Sequence, residues 1–173
     1  QTDELKVAKD VLKTFAKYAC SLEQYDELGM LFEKIKAYPE SLEMLEKCYK
    51  NASEPSQLYS IRSNFAKVYN CLNEPLKSLH YSSANLEINP LDINLKLEQS
   101  LSYYLYGDHQ KSWTIQTNLL NDKTLPKDIQ DRINFNIGTF DLNNGLFKQG
   151  LKKIIVNGKN IGLWPSIKKP FKK

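Results

Sequence analysis

Residues 65–90 read FAKVYNCLNEPLKSLHYSSANLEINP, and this stretch has the pattern of two helices joined by a turn. In the first helix, the small residue Ala66 lets a second helix pack closely against it. The turn at residues 73–75 ends in Pro75, which suits the first turn of a helix because no backbone donor is needed there. Pro90 then ends the second helix. This second helix is predicted to carry an apolar stripe of Leu76, Leu79 and Leu86.

The same helical hairpin recurs about every 34 residues, at intervals of 37, 34 and 38. The pair Phe65-Ala66 has equivalents at Leu28-Gly29 and Ile137-Gly138. The third copy has Gln99-Ser100 at this position, and its turn is at Gly107-Asp108. At the predicted crossing point of each second helix the chain has only small residues, namely Ser41, Ser78, Ser112 and Gly150. Because one hairpin cannot bury its apolar face alone, such a period predicts stacked hairpins.

These phrases resemble the tetratricopeptide repeat family over about residues 22 to 164. The resemblance implies an all-α fold, an α-solenoid of stacked antiparallel helical hairpins with about four repeats. The segment Leu5 to Ala19 is predicted as a leading helix with the apolar face Ala8, Val11, Leu12 and Phe15. Trp164 is expected to seal the last hairpin. The predicted domains are a repeat domain over 1–166 and a basic tail over 167–173.

If the family geometry holds, the first helices line a concave groove. We expect this groove to bind an extended peptide, because amide side chains pair with a peptide backbone and apolar side chains cover apolar groups. The candidate binding residues are Asn64, Lys67, Asn70, Asn94, Leu101, Tyr104, Arg132, Phe135 and Asn136. Their counterparts in the first copy include Asp26, Met30 and Glu33.

Two activities known in this family can be compared with these positions. Members that bind chaperone tails hold a terminal carboxylate with Lys and Asn, but the matching places here include Asp26 and Glu98, which would repel a carboxylate. Asn64 and Asn136 match half of the asparagine ladder of O-linked N-acetylglucosamine transferases. The alternative hypothesis is therefore the repeat arm of a larger glycosyltransferase, with its catalytic domain outside this chain.

No catalytic or cofactor-binding pattern is evident in the sequence. His80 and His109 lack an acid and a nucleophile at a suitable spacing, and there is no Gly-rich phosphate loop or paired metal-ligand motif. The three cysteines suit neither a zinc site nor a disulfide framework, and we expect them to be buried thiols in a reducing compartment. No stretch has the length of a membrane span, and no signal peptide pattern opens the chain, which predicts a cytoplasmic protein.

Charge is distributed unevenly along the chain. Residues 148–173 hold eight Lys and no acid, so the rest carries 16 basic and 20 acidic residues. The acidic body argues against nucleic acid as the main partner, although the Lys-rich end leaves it as a third hypothesis. The sequence thus predicts a non-catalytic module that binds a protein or peptide segment, with no cofactor.

Overall fold

The computed structural model describes residues 3–143 and 145–161, which fold into nine helices without a strand. The predictions about Trp164 and about the basic tail 167–173 concern residues outside the described ones. The helices are α1 (Asp3–Ala16), α2 (Leu22–Lys34), α3 (Tyr38–Asn51), α4 (Pro55–Cys71), α5 (Pro75–Ile88), α6 (Ile93–Tyr106), α7 (His109–Leu120), α8 (Lys127–Asn143) and α9 (Phe147–Asn160). Neighbouring helices pack in consecutive pairs, as in a helical solenoid, which confirms the predicted fold class.

The chain divides into two compact units, Gln1–Tyr106 and Gly107–Lys173. Unit 1 contains α1 to α6, and unit 2 contains α7 to α9. The boundary falls at the third predicted turn, so the two helices of the third predicted hairpin belong to different units. Each unit is described by itself below.

The turns between first and second helices share one backbone feature, a residue with positive φ two positions before the second helix begins. In the first two turns, the left-handed residues Lys36 and Asn73 have φ of 60° and 59°. Ala37 N–H then donates to the Phe32 carbonyl, and Glu74 N–H donates to the Tyr69 carbonyl. This is the usual way to close a helix with a left-handed residue. Glycines occupy the other two turn positions, Gly107 and Gly145. These four residues repeat the intervals 37, 34 and 38 that the sequence predicted.

The predicted small residues lie where the paired helices cross. In the first hairpin, the Ser41 hydroxyl donates to the Gly29 carbonyl at 2.9 Å, a bond that requires close backbone approach. Both sets of small residues are buried throughout, in the first helices (Gly29, Ala66, Ser100, Gly138) and in the second helices (Ser41, Ser78, Ser112, Gly150). The register of the repeat is therefore confirmed in the first, second and fourth copies, whose two helices belong to one unit.

The core of unit 1 is made of two apolar clusters followed by a polar region. Leu28, Phe32, Ala37 and Met44 join α2 to α3, with Leu12 and Ala16 of α1 against them. Leu45, Cys48, Ile61, Phe65 and Val68 then join α3 to α4. Between α4, α5 and α6 the buried residues include Asn70, Ser78, Ser82, Asn85 and Ser102.

Three details of the sequence prediction were wrong. Val11 and Phe15 were expected to be buried on the apolar face of α1, but they are exposed. Of the three cysteines expected to be buried, only Cys48 is, whereas Cys20 and Cys71 are exposed. Leu76 begins the predicted stripe of α5 but is also exposed.

The two helix crossings with a first-helix glycine differ in tightness, which leads to a testable contrast. A Cβ atom at Gly138 would lie 2.8 Å from the Lys153 Cβ and 2.9 Å from the Gly150 carbonyl, whereas one at Gly29 would have only ordinary contacts, the nearest at 3.6 Å. We expect Gly138→Ala to destabilise unit 2 by about 1–3 kcal/mol through overpacking. Gly29→Ala is the matched control and should be neutral or stabilising by up to about 1 kcal/mol, because Ala favours the helix. Thermal denaturation of both variants checks this, and equal effects would contradict the crossing geometry.

Candidate functional site

One face of unit 1 is formed by equivalent positions of its three first helices, α2, α4 and α6. Met30, Lys67 and Leu101 each precede the left-handed turn residue of their hairpin by six positions. All three are exposed, Met30 and Leu101 by 45% and 44%. Since equivalent positions point the same way in stacked hairpins, these residues belong to one surface. We call it the first-helix face, defined by Met30, Lys67, Leu101 and the neighbouring Tyr104.

An ion pair links α4, in the middle of this face, to α2. Lys67 Nζ lies 2.7 Å from Glu33 Oε1, which places α4 beside α2. About half of the Lys67 side chain remains exposed. The Glu33 side chain is 23% exposed, so the pair lies at the surface, where ion pairs contribute little stability, about 0–1 kcal/mol.

Asn70 was predicted to line the groove, but its side chain is 5% exposed and is used inside the unit. Its amide donates to the backbone carbonyl and to the carboxylate of Glu98, at 3.0 and 2.9 Å. Its own oxygen accepts from the Ser102 hydroxyl at 2.8 Å. Asn70 therefore connects α4 to α6.

The other predicted residues of unit 1 are more accessible. Asn94 and Tyr104 are exposed on α6, Tyr104 by 37%, and Asn64 is half-buried on α4. Asn94, Leu101 and Tyr104 share one helix, and Asn64 and Lys67 share the neighbouring one. The first-helix face thus combines apolar side chains and one cation, and the amides of Asn64 and Asn94 lie on the same helices.

The remaining candidates, Arg132, Phe135 and Asn136, lie on α8 of unit 2. Arg132 and Asn136 are exposed, and Phe135 is half-buried. They form a separate short patch, because they belong to a single helix.

Asp26 of α2 is a carboxylate without a hydrogen-bond partner for one of its buried oxygens, Oδ1, within the described residues. Burial raises the pKa of this carboxyl above its usual value, and the nearby charge of Glu27 raises it further. Asp26 also acts on Cys48. Burial, with a contribution from the Asp26 charge, raises the pKa of the Cys48 thiol to about 11, so this thiol stays protonated at neutral pH.

A cleft of about 270 Å³ lies between α1 and α3, at residues outside the predicted groove. Its floor includes Phe32 and Met44, and its rim carries Lys13, Lys17 and Lys47. Glu40 lies in the wall of the cleft. Its Oε1 atom forms ion pairs with Lys9 Nζ at 2.8 Å and with Lys13 Nζ at 3.0 Å. Burial raises the pKa of Glu40, but the two lysine hydrogen bonds outweigh it and lower the pKa below its ordinary value. In the sequence, the lysines at this cleft could have been recognised from the four-residue spacing of Lys9, Lys13 and Lys17, which places them on one helix face.

In the part of the chain that the structure describes, no group of three His, Cys, Asp or Glu side chains is arranged to hold a metal ion. Among the same residues, no helix combines the length and apolar character needed to cross a membrane.

Comparison with known proteins adds no relative to this description. No protein-family model matches the sequence, and no curated protein matches it either. The case for its function therefore depends on the contacts described above.

The raised pKa of Asp26 predicts a dependence of stability on pH. A raised value in the folded state means that the unfolded chain loses this proton first, so stability falls as the pH rises through the two pKa values. We expect Asp26→Asn, which cannot ionise, to raise the melting temperature by a few degrees at about pH 7 and by less at about pH 3. Melting curves at both pH values check this, with exposed Asp10→Asn as the control. A gain that is the same at both pH values would contradict the assignment to ionisation.

Proposed function

We propose that this protein is a non-catalytic interaction module of the tetratricopeptide-like type that binds a peptide or protein segment on the first-helix face of unit 1. The supporting observation is that Met30, Lys67 and Leu101 are all exposed at one repeated position of successive first helices. A purely structural surface has no need of apolar side chains at that position, whereas a binding surface does.

The spacing of the first helices suits an extended segment. Glu33 joins α2 to α4 and Asn70 joins α4 to α6, so these helices are successive neighbours. Packed helices lie about 8–10 Å apart, and an extended chain advances about 3.3 Å per residue. A bound strand therefore passes one helix with about every three residues.

This geometry defines the chemistry of the ligand. Met30 and Leu101 lie two helix spacings apart, so apolar ligand side chains about six residues apart would cover both. Lys67 and Glu33 lie between them, and a polar or charged ligand residue there can pair with either partner. Asn64 and Asn94 can satisfy the ligand backbone.

The patch of Arg132, Phe135 and Asn136 in unit 2 is a second, independent contact area in this proposal. The proposal assigns no catalysis and no cofactor to the chain. We also infer that the protein works in the cytoplasm, which the three unpaired thiols support.

The experiment is selection of displayed random peptides of about 12 residues on the full chain, because such a length spans the first-helix face. The face variant is Met30→Lys combined with Leu101→Lys, and the matched control is Leu76→Lys, which makes the same change at an exposed residue of the second helix α5. We expect the selected peptides to carry apolar residues about six positions apart. Their affinity for the face variant should be at least tenfold lower than for the original chain, which corresponds to about 1.4 kcal/mol of binding free energy.

The control variant should bind the same peptides as strongly as the original chain. If the selected peptides bind the face variant and the original chain equally, the binding surface does not lie on α2, α4 and α6. Circular dichroism melts of all three proteins separate lost binding from lost folding.

A further inference from the structure

The cleft between α1 and α3 takes no part in the first-helix face. Helices α1 and α3 form its walls, and Phe32 of α2 lies at its floor beside Met44. Both of these residues are 1% exposed. The exposed apolar residues Val11 and Phe15 of α1 do not line the cleft. Its walls and floor therefore come from three described helices of unit 1.

A junction of the same kind occurs one repeat later, between α3 and α5, with α4 at its floor. Helices α2 and α4 begin with capping boxes at Ser21 and at Glu54, so α1 aligns with α3 at an interval of 33 residues. The left-handed turn residues Lys36 and Asn73 align α2 with α4 and α3 with α5 at an interval of 37 residues. Each residue of the cleft therefore has a counterpart in the next junction.

The floors of the two junctions are alike. Tyr69 and Tyr81 occupy the positions of Phe32 and Met44. The rings of the two tyrosines are stacked, with their centroids 5.8 Å apart. Each junction thus has two large side chains at its floor, one from the first helix and one from the following second helix.

The two junctions differ in the side chain beside the floor. In the second junction, the ring of Tyr49 meets that of Phe65 edge-on, with centroids 6.2 Å apart. Burial and the neighbouring Tyr49 raise the pKa of Tyr81, so Tyr49 also lies near the floor. The counterpart of Tyr49 in the first junction is Ala16, which lines the cleft. The cleft is therefore the space that an aromatic ring of the chain fills one repeat later.

The charges of the two junctions are reversed. Glu46 occupies the position of Lys13, and Lys77 occupies that of Glu40. The charged residues that line the cleft are Lys13, Lys17, Lys47, Glu40 and Glu43. With three lysines and two glutamates, the lining has a net charge of +1, which favours an anionic ligand.

One end of the cleft offers a hydrogen-bond acceptor. The Oε1 atom of Glu40 pairs with Lys9 and Lys13. The Oε2 atom of the same carboxylate is buried and has no hydrogen-bond partner within the described residues. Because leaving a buried acceptor unpaired costs free energy, a ligand that donates a hydrogen bond to this atom gains affinity.

The other end of the cleft offers a cation. Lys47 lies seven residues after Glu40 on α3, about 10 Å along the helix, and pairs with Glu43 at 2.9 Å. Helices α1 and α3 run in the same direction, since each is joined to α2 by a short turn. Lys17 therefore lies toward Lys47 and away from Glu40. Among the described residues Lys17 forms no ion pair.

We propose that this cleft binds a small aromatic acid, with its ring on Phe32 and Met44, its carboxylate paired with Lys17, and a ring hydroxyl that donates to Glu40 Oε2. The ring lies where Tyr49 lies in the next junction. A hydroxyl and a carboxylate at opposite ends of one ring match the acceptor and the cation at the two ends of the cleft. This site is independent of peptide binding, because it shares no residue with the first-helix face.

The volume of the cleft sets the size and the affinity of the ligand. About 270 Å³ lies just below the usual range for drug-sized ligands, about 300–1,000 Å³, and suits a single ring. For a ligand of about ten heavy atoms we expect a Kd of about 0.1–1 mM. Binding bridges α1 and α3, so it should also raise the melting temperature.

Titration of the full ¹⁵N-labelled chain with 4-hydroxyphenylacetate, followed by NMR, tests the ligand class. We expect saturable shift changes at the residues that line the cleft. Phenylacetate lacks the hydroxyl and should bind at least about threefold more weakly. Acetate, without the ring, and 2-(4-hydroxyphenyl)ethanol, without the carboxylate, should each bind at least about tenfold more weakly. The proposal is wrong if 4-hydroxyphenylacetate shows no saturable binding up to about 10 mM, or if acetate or the alcohol binds as strongly.

Two variants place the ligand in the cleft. Ala16→Tyr supplies the ring that Tyr49 supplies one repeat later, so it should abolish binding. Lys17→Glu should weaken binding at least about tenfold. The matched control is Lys50→Glu, because Lys50 is the exposed counterpart of Lys17 in the next junction, and this variant should bind like the original chain. Melting curves show which variants are folded, and unchanged binding by either folded cleft variant overturns the proposal.

Discussion

The structure depends on the close crossing of two helices that a short turn holds side by side. A turn of two or three residues leaves no room for large side chains where the helices first touch, so both partners must be small there. Gly29 and Ser41 show the result directly, since the serine hydroxyl reaches the glycine carbonyl across the crossing. The crossing of Gly138 with Gly150 is tighter still, because even a methyl group would overlap backbone and side-chain atoms. With the left-handed turn residues, these contacts set the register of the hairpins that lie within one unit, and the exposed faces follow from that register.

The interior of unit 1 changes from apolar to polar along the chain, which affects how the hairpins recognise one another. Between α3 and α4 the contact is made by apolar and aromatic side chains, which are not directional. Between α4 and α6, which belong to successive hairpins, the contact includes hydrogen bonds, such as those that connect Asn70 to Glu98 and to Ser102. A buried polar group stabilises the fold only when its partners are in place. The later hairpin of unit 1 is therefore held in one arrangement more strictly than its apolar area alone would require.

The features that could be predicted from the sequence are the helix ends and the helix crossings, which depend on residues close to one another in the chain. Proline and the left-handed turn residues ended helices near the expected positions, and the small residues lay at the crossings, because a helix pair has few alternatives there. The exposure of particular side chains was predicted less well. Val11 and Phe15 carry an apolar pattern but are exposed, and sequence periodicity cannot tell a covered apolar face from an open one. Asn70 was placed in the groove by its position, but its hydrogen bonds to Glu98 and Ser102 depend on a helix 28 residues away in sequence.

The contrast between neighbouring positions of the repeat indicates where packing leaves the side chain free to vary. Seven residues before each turn residue the chain always has a small side chain, because the crossing accepts nothing else. One position later it has Met30, Lys67, Leu101 and Thr139, which share neither size nor charge. A position that repeats is constrained by packing, whereas an exposed position that varies between copies of one scaffold is not. Packing does not select Met30, Lys67 and Leu101, so under the proposed function these are the positions at which the hairpins can differ in the partner they recognise without any cost to the fold.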